Sequence, residues 1–334
     1  MTGPKPAVAA TRVAVRKALG QIEQISRGGL VLVACSGGAD SLALAAAVAF
    51  EAPRLGLTAG AVIVDHGLQE GSLAVAARAA DQCRRLLSLD PVEVVTVQVA
   101  RSGSGPEAQA RDARYRAFDE VAKKVGAVAV LLGHTRDDQA EQVLLGLVRG
   151  SGARSLSGMP ARRGPYVRPL LGVARTTTAA ACEAAGLTPW VDPHNSDPAY
   201  GRVRARALLP LLETELGPGA TAALARSADL LREDADALDD LAAQARSELG
   251  QGPVDVMVLL SLPRAIRTRV WRLLALEAGC PAGALIATHV DALDTLVTCW
   301  RGQGPIDLPG HVQGSRSGGR VLVAATRPVE WAQT

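Results

Sequence analysis

The chain has few aromatic residues and no long apolar run, and each of these shortages excludes a class of protein. Only 3% of its 334 residues are aromatic, and phenylalanine occurs at two positions. No uninterrupted apolar stretch reaches the roughly 18 residues that a membrane-spanning helix needs. The five cysteines are scattered without a C-x-x-C pair, which argues against a disulfide framework and against a cysteine zinc site. These absences predict a cytoplasmic protein with no membrane partner.

The charge of the chain is too small to identify a partner on its own. The formal net charge is +3, from 36 basic and 33 acidic side chains, and residues 1–216 hold the basic excess. Such a mild excess does not by itself indicate nucleic-acid binding. The length favours about two domains and is ample for a hydrophobic core.

Short apolar runs alternate with helical patterns through the first half of the chain. The runs are nearly all apolar, as expected of strands that helices cover on both faces. This alternation predicts an α/β fold with a doubly wound, mostly parallel sheet, whose ligands bind beyond the carboxyl ends of the strands. The predicted strands are Leu30–Cys35, Ala61–Val64, Val92–Val99 and Ala127–Leu132, and the predicted helices are Leu42–Phe50, Leu73–Leu87, Glu107–Val125 and Asp137–Val148.

Gly217-Pro218-Gly219 is the predicted boundary between two domains, because glycine and proline punctuate the chain there. It separates a catalytic domain, 1–216, from a smaller, largely helical domain, 217–334. In the second domain, residues 306–323 are predicted to form a hairpin around 314–319. In the first, residues 150–169 form an irregular stretch, and a loop of that length is usually functional or mobile.

The hexapeptide Ser36-Gly37-Gly38-Ala39-Asp40-Ser41 joins the first predicted strand to the helix that follows. A strand, a glycine turn and a helix N-terminus direct several backbone N–H groups at one point, which suits a phosphate. The spacing matches neither the Walker A pattern nor the G-x-G-x-x-G pattern. It resembles the PP-loop of the N-type ATP pyrophosphatases, and the resemblance implies that this loop holds ATP. The alternative is an ordinary corner capped by Ser or Asp.

A second polar cluster, Gly133–Glu141, follows the fourth predicted strand and opens a helix. Positions i, i+3, i+4 and i+7 share one face of a helix, and they hold His134, Asp137, Asp138 and Glu141. Three carboxylates so close together repel one another unless they meet a metal, an ammonium group or another cation. A capping box explains only one of the acids, so the spacing favours a functional cluster.

Two smaller groups complete the candidate residues. Asp65-His66-Gly67 closes the second strand, where a carboxylate and an imidazole can reach ribose, base or metal. The alternative there is a turn built on Asp-x-Gly. Arg111 and Arg114 stand at i and i+3 of a predicted helix, where the alternative is a surface stripe of salt bridges.

Together these segments resemble the tRNA(Ile)-lysidine synthetase family. Five segments carry the resemblance in the family's order and spacing: Ser36–Ser41, Val64–Leu68, Glu107–Tyr115, Gly133–Glu141 with Leu147–Ala153, and Asp192–Pro210. The resemblance implies that ATP with Mg²⁺ binds the PP-loop and that O2 of the wobble cytidine of an isoleucine tRNA attacks the α-phosphorus. Pyrophosphate leaves, and the ε-amine of free lysine then displaces AMP at C2. The oligomeric state stays open, a homodimer included.

The resemblance also implies roles for individual residues. Asp138 and Glu141 match the family's acidic pair and would bind the lysine ammonium and accept a proton, with Asp137 and His134 beside them. Asp40 and Asp138 are the predicted Mg²⁺ ligands. The predicted nucleotide contacts are Ser36, Gly37, Gly38, Ala39, Asp40, Ser41, Asp65, His66 and Gly133. The predicted contacts to substrate or tRNA are Arg111, Arg114, Arg154, Asn195, Arg202 and Arg206, and residues 150–163 would form a mobile segment over the cytidine.

One position departs from the family's pattern, since Val203 stands where the downstream signature has asparagine. The hydrogen bond of that amide is therefore absent or is supplied elsewhere. Three rival functions are a tRNA thiolase with the same loop, an amidotransferase-type synthetase, and a protein that holds ATP without turning it over. A thiolase usually needs paired cysteines, which are absent here, and an amidotransferase-type synthetase needs an ammonia-producing domain that the length hardly allows. The intact acidic helix argues against a protein that only holds ATP.

Overall fold

Strands and helices alternate from the start of the chain, as the apolar pattern predicts. The computed structural model describes residues 3–22, 28–65, 67, 71–97, 106–150, 152–192 and 197–326. Two of the predicted site residues, His66 and Asn195, lie outside these described residues. Within the described ranges, no helix is both long enough and apolar enough to cross a membrane.

Twelve α-helices and ten strands are described, together with a short 3₁₀ turn at Pro53–Leu55 and a π-helical turn at Gln82–Leu86. The helices are α1 Pro6–Gly20, α2 Ala39–Glu51, α3 Ser72–Asp81, α4 Pro106–Val125, α5 Arg136–Val148, α6 Ala153–Leu156, α7 Arg175–Ala184, α8 Gly201–Glu215, α9 Ala220–Glu248, α10 Val256–Ser261, α11 Arg264–Glu277 and α12 Ala287–Thr298. The strands are β1 Leu30–Ala34, β2 Thr58–Asp65, β3 Val92–Thr96, β4 Ala127–Leu132, β5 Arg162–Arg163, β6 Tyr166–Val167, β7 Val254–Asp255, β8 Ile306–Leu308, β9 Val312–Ser317 and β10 Arg320–Ala325.

A six-stranded sheet with the order β3-β2-β1-β4-β6-β5 forms the centre of the first unit. All its pairs are parallel except β5 with β6. The chain runs outward from β1 through β2 to β3 and then returns to β4 on the other side of β1. The sheet is thus doubly wound, as predicted, and its switch point lies between β1 and β4, where ligands of such sheets bind. The PP-loop and the Gly133–Glu141 segment follow these two strands.

Both faces of this sheet are buried, which explains the nearly uniform apolar character of the strands. Val31 and Val33 pack into a core with α2, whose inner face is almost entirely Ala, Leu and Val. Leu32 packs on the opposite face with Phe118 and Val121 of α4. The PP-loop therefore leaves a strand whose position is fixed from both sides.

The chain divides into the compact units Met1–Leu231 and Arg232–Thr334, within α9, a little beyond Gly217–Gly219, whose role as the domain boundary stays a prediction. The two glycines do form a turn, with φ of +101° and +96°. However, the carboxylate of Glu213 accepts hydrogen bonds from the backbone N–H groups of Gly219 and Thr221. This side chain makes the turn a tight corner between α8 and α9 instead of a linker.

The second unit contains the antiparallel sheet β7-β10-β9-β8 with its own apolar core. The predicted hairpin over 306–323 is in fact three strands, and the turn between β9 and β10 falls at Gly318-Gly319. Gly314 lies inside β9, where a Cβ would come within 2.2 Å of the Leu293 side chain on α12. This glycine therefore serves close packing of a helix on the sheet and does not form a turn.

The segment predicted as mobile, 150–163, is tied down in its described part. The buried Gln139 side chain donates to the carbonyl of Met159 at 3.0 Å and accepts from its N–H at 2.6 Å. The guanidinium of Arg168 donates to the carbonyl of Pro160 at 2.9 Å. A Cβ at Gly158 would lie 2.5 Å from the Gln139 oxygen, so glycine is needed for this contact. We therefore expect no opening of the chain at Met159 without loss of two buried hydrogen bonds.

Candidate active site

The PP-loop is held in shape from within by Ser41, which is only 7% exposed. Its hydroxyl donates to the carbonyl of Gly38 at 2.9 Å and accepts from the N–H of Ser36 at 3.2 Å. Gly37 has a φ of +82°, a conformation that residues with a Cβ rarely adopt. Its carbonyl accepts from the N–H of Trp190 at 2.9 Å. These contacts hold the backbone of the loop in one conformation.

Helix α2 begins at Ala39, and no side chain among the described residues caps it. Its first helical hydrogen bond runs from the N–H of Leu42 to the carbonyl of Gly38. The N–H groups of Ala39, Asp40 and Ser41 therefore have no partner within the helix and point out of its N-terminus. Such a terminus, preceded by two glycines, is a cradle for a phosphate group. The geometry agrees with the predicted phosphate loop and disfavours the side-chain cap.

Gly133 brings the second polar segment against this loop. A Cβ at position 133 would lie 3.1 Å from Cα of Ser41 and 3.2 Å from the carbonyl carbon of Asp40. Both neighbours are backbone atoms, which cannot give way without moving the loop. The sequence predicts that Gly133 contacts the nucleotide, and the structure gives this residue a steric role in setting the loop beside β4.

The acids of the second segment divide between capping and charge pairing. Oδ2 of Asp138 accepts from both the N–H and the hydroxyl of Thr135, at 2.7 and 2.9 Å, which completes a capping box at the start of α5. Asp137 accepts from the backbone N–H of Arg175 at 2.8 Å and so holds the first residue of α7. Helix capping therefore explains part of the cluster. It does not explain Oδ1 of Asp138 or the carboxylate of Glu141, which take part in charge pairing.

Arg175 supplies a cation to two of the clustered acids, Asp138 and Glu141, and to Asp40 of the PP-loop, and it is not among the residues that the sequence predicted for the site. Its guanidinium lies 2.7 Å from Oδ1 of Asp138, 3.0 Å from Oε1 of Glu141 and 3.6 Å from Oδ2 of Asp40. The hydroxyl of Thr178, one turn further along α7, donates to the other oxygen of Asp40. The available signal was the mutual repulsion of the acids, which demands a cation but does not say which arginine supplies it.

Glu141 lies at the centre of this network and is only 2% exposed. Its Oε1 accepts from Arg175 and from Nε of Arg206, the latter at 2.8 Å. The structure pairs Arg206 with Glu141, and its contact with substrate or tRNA stays a prediction. Arg202 lies on the same helix, α8, near the imidazole of His134.

The pKa values of the cluster move in different directions. Burial alone would raise the pKa of Asp138, but Arg175 and the hydrogen bonds from Thr135 hold it below its usual value. Burial raises the pKa of Asp40, aided by the neighbouring acids and opposed by Thr178 and Arg175. Burial lowers the pKa of Arg175, and the carboxylates around it more than reverse this, so its charge is secure. The cluster thus contains one carboxylate that resists protonation and one that accepts a proton more readily.

His134 is a neutral imidazole at the edge of an arginine-rich region. Burial, together with Arg168, Arg202 and Arg111, lowers its pKa to about 4, against the opposing pull of Asp138. Its Nδ1 is buried and has no hydrogen-bond partner within the described structure. A neutral imidazole with a buried, unpartnered ring nitrogen suits recognition of a polar ligand, and it does not suit service as a cation.

The other predicted residues have the following positions. Arg111 stacks over the ring of Tyr115 at 5.0 Å from its centroid, and burial lowers the pKa of Arg114. Asp65 accepts from the N–H of Gly67 at 3.0 Å, as the turn alternative requires. Arg154 lies on the short helix α6. Nothing in the structure explains the valine at position 203.

The chemistry of the donor set decides whether Mg²⁺ fits this site. Within the described residues, no three His, Cys, Asp or Glu side chains are arranged to hold a metal ion. Mg²⁺ in nucleotide sites usually needs only one or two carboxylates, because phosphate oxygens and waters complete its coordination. Asp40, next to the phosphate cradle, fits that requirement. The oxygens of both Asp40 and Asp138 already have protein partners, so it is the position of Asp40 at the start of α2, beside the cradle, that favours it over Asp138 as a metal ligand.

Comparisons with known proteins show the family to which the chain is related. The profile of a PP-loop domain matches residues 11–212, and that of a TilS substrate binding domain matches residues 255–322. Among curated proteins, the tRNA(Ile)-lysidine synthase of Thermobifida fusca (strain YX) is 60% identical over 328 residues, covering 97% of this chain and all 100% of the relative. That of Streptomyces coelicolor is 53% identical and covers 96% of this chain and 99% of the relative.

A solved structure with the same kind of fold is more distant. The U34-tRNA thiolase NcsA from Methanococcus maripaludis, with its 4Fe-4S cluster, has a TM-score of 0.56 and 18% sequence identity. The match covers 68% of this chain and 80% of that one. At this identity the likeness supports the fold alone and carries no argument for sulfur chemistry.

Proposed function

Because the chain belongs to the tRNA(Ile)-lysidine synthase family, we propose that its reaction takes place where the PP-loop meets the acidic helix α5. The ligase joins lysine to C2 of the wobble cytidine of an AUA-decoding isoleucine tRNA and converts ATP to AMP and pyrophosphate. The observation that carries the location is the contact between Asp40 of the PP-loop and the Arg175–Asp138–Glu141 network. We assign the reaction to the cytoplasm, where tRNA and free lysine are both present.

The adenylation half of the reaction is assigned to the N-terminus of α2. The N–H groups of Ala39, Asp40 and Ser41, with those of Gly37 and Gly38, would bind the β- and γ-phosphates and stabilise the charge that develops on the departing pyrophosphate. Their positions are fixed before ATP binds, because Ser41 and Trp190 already hold the loop. The cytidine O2 would attack the α-phosphorus from the side opposite to the cradle.

Mg²⁺ would be held by Asp40 together with the phosphates, and it would supply positive charge to them. Asp40 is already steered by Thr178 and Arg175, so its carboxylate is confined to the mouth of the cradle. The remaining candidates for nucleotide contact are Asp65, at the end of β2, and Gly133. Of these, Gly133 supports the loop only through its lack of a side chain.

The lysine half is assigned to Asp138 and Glu141. A lysine amine reaches this site as an ammonium ion and must lose a proton before it attacks C2. Oδ1 of Asp138 and the carboxylate of Glu141 face one point, at which Arg175 now lies. These carboxylates would bind the ammonium, and a carboxylate of the cluster would take its proton.

The tRNA itself would meet the arginines around His134. Arg111, Arg114, Arg168 and Arg202 all act on the same region, as the lowered pKa values of His134 and Arg114 indicate. Arginine is well suited to phosphate because its planar donors bind two oxygens at once. The second unit, which matches the TilS substrate binding domain, would add further tRNA contact.

The experiment that tests this function is mass analysis of the wobble nucleoside. Purified protein is incubated with ATP, isotopically labelled lysine and isoleucine tRNA, and the tRNA is digested to nucleosides. We expect a wobble cytidine carrying one labelled lysine, with AMP and pyrophosphate formed in equal amounts. A sulfur-containing nucleoside that forms only with a sulfur donor would identify a thiolase, and ADP with orthophosphate would rule out the PP-loop chemistry.

A further inference from the structure

The guanidinium of Arg175 fills the space that the proposed function assigns to the substrate ammonium. Two of its nitrogens lie at hydrogen-bond distance from Oδ1 of Asp138 and Oε1 of Glu141, at 2.7 and 3.0 Å. Asp138 has no second oxygen to offer, because its Oδ2 is taken up by the N–H and the hydroxyl of Thr135. A lysine ammonium that seeks Asp138 must therefore approach the oxygen that Arg175 already holds.

The backbone of Arg175 is fixed, whereas its side chain is partly exposed. Asp137 accepts from its N–H at 2.8 Å, and the hydroxyl of Thr178, 2.8 Å from its carbonyl, shares one hydrogen between that carbonyl and Asp40. The side chain is 25% exposed, in contrast to the 2% of Glu141. The guanidinium can therefore leave the carboxylates by side-chain rotation, without unwinding the start of α7.

The charge of the cluster stays the same when the ammonium of a lysine substrate takes the place of the Arg175 guanidinium. Asp40, Asp138 and Glu141 bring three negative charges, and Arg175 and Arg206 bring two positive charges. Replacement of one guanidinium by one ammonium keeps this balance, so the buried Glu141 is never left without its cations. An uncompensated buried carboxylate would be strongly unfavourable, and the exchange avoids it.

We propose that Arg175 is an internal cation that closes the lysine site, and that lysine binds by displacing its guanidinium from Asp138 and Glu141. Arg206 stays on Glu141 throughout and preserves its orientation. Arg175 thereby sets the affinity for lysine through competition. The inference rests on the proposed function, because it takes Asp138 and Glu141 as the lysine site.

The test is the dissociation constant of L-lysine, measured by calorimetry on the full chain and on Arg175→Ala. Removal of the competitor lowers this constant by about tenfold, the value of one charge-assisted hydrogen bond. Guanidinium chloride at low millimolar concentration then competes with lysine in Arg175→Ala, because it refills the vacated position. It does not compete in the unmodified chain, and an equal concentration of NaCl has no such effect in either protein.

Matched variants separate charge and folding effects from displacement. Arg85→Ala removes one positive charge from a side chain that is 79% exposed and pairs with Asp81, and it leaves lysine binding unchanged. Arg175→Lys, which keeps the charge but reaches fewer oxygens, gives an intermediate constant and serves if Arg175→Ala fails to fold. Circular dichroism checks the fold of each variant.

Two outcomes would overturn the inference. Weaker or unchanged lysine binding by a folded Arg175→Ala would mean that Arg175 orients the carboxylates and does not occupy the lysine site. Absence of competition by guanidinium in that variant would have the same meaning. Both results leave the proposed function intact. That function fails separately if Asp138→Asn binds lysine as tightly as the unmodified chain does.

Discussion

Replacement of Asp138 by Asn separates the two halves of the proposed reaction. The amide oxygen of Asn can still accept from the N–H of Thr135, so the cap of α5 is kept. The amide nitrogen then faces the guanidinium of Arg175. Both groups are hydrogen-bond donors, so the ion pair of 2.7 Å between Arg175 and Oδ1 of Asp138 is lost. We expect adenylation of the tRNA to continue and lysine transfer to fall by at least about 100-fold, the usual contribution of a positioned acid or base.

The cost in stability is modest, because both partners of the lost pair reach solvent. Asp138 is 15% exposed and Arg175 25% exposed. A hydrogen bond between charged groups contributes about 1.5–3 kcal/mol when buried, and partial exposure reduces this to about 1–2 kcal/mol. For a unit of this size the melting temperature falls by about 2–8 °C. The variant therefore stays folded at the temperature of the assay.

The assay measures each half by itself. Release of pyrophosphate from labelled ATP in the presence of tRNA, with lysine omitted, reports adenylation, and nucleoside mass analysis reports lysidine. Asp81→Asn is the matched control, since it breaks an ion pair that is exposed on both sides. Lysidine formation at the wild-type rate by Asp138→Asn would refute the reasoning and reduce Asp138 to a helix cap. Equal loss of both halves would refute a role specific to lysine.

Three further predictions follow from the same geometry. Gly133→Ala weakens ATP binding by about tenfold, because the added Cβ displaces the PP-loop backbone and the loss of one phosphate hydrogen bond has about that effect. Gly172→Ala is the control: its Cβ meets nothing within 4 Å, so the same ATP titration shows no effect. His134→Asn removes a pH dependence of the free energy of unfolding. Because the pKa of His134 is lowered from 6.5 to about 4, its contribution, up to about 3 kcal/mol, is complete above pH 6.5 and is lost as the pH falls toward 4. If the free energy of unfolding, measured by urea denaturation, depends on pH in the variant as it does in the unmodified chain, this prediction is contradicted. Asp294→Asn leaves the buried Arg267 without its carboxylate and lowers the stability of the second unit by about 3 kcal/mol. Asp291→Asn, which breaks an exposed ion pair with Arg264, lowers it by less than about 1 kcal/mol. Thermal denaturation measures both.

Local pattern was sufficient to predict the sheet and the phosphate loop. A strand that is buried on both faces is a short run of nearly all apolar residues, which is visible in the sequence without knowledge of its neighbours. The PP-loop is contained within six consecutive residues. The predicted acidic cluster also forms, because three of its members lie on one helix. The loop and the acidic cluster each bring together residues that are close in the chain, and each strand of the sheet is recognisable from its own apolar run although its partners are distant.

Arg175 could not be found in this way because it lies far along the chain from the acids that it pairs. The sequence predicts that the acids need a cation, and it offers many arginines without ranking them. The contact of Arg206 with Glu141 could not be predicted for the same reason, since it depends on how α8 packs beside α5. The sequence also gives no sign that the side chain of Glu213 ties down the glycine turn at 217–219, because that contact depends on the corner between α8 and α9.

The most direct test of the account is a crystal structure of the protein with an ATP analogue and L-lysine bound together. The account predicts the phosphates on the N–H groups of Ala39–Ser41 and the lysine ammonium within hydrogen-bond distance of Oδ1 of Asp138 and the carboxylate of Glu141. Lysine bound away from both carboxylates, or phosphates bound away from the loop, would contradict it.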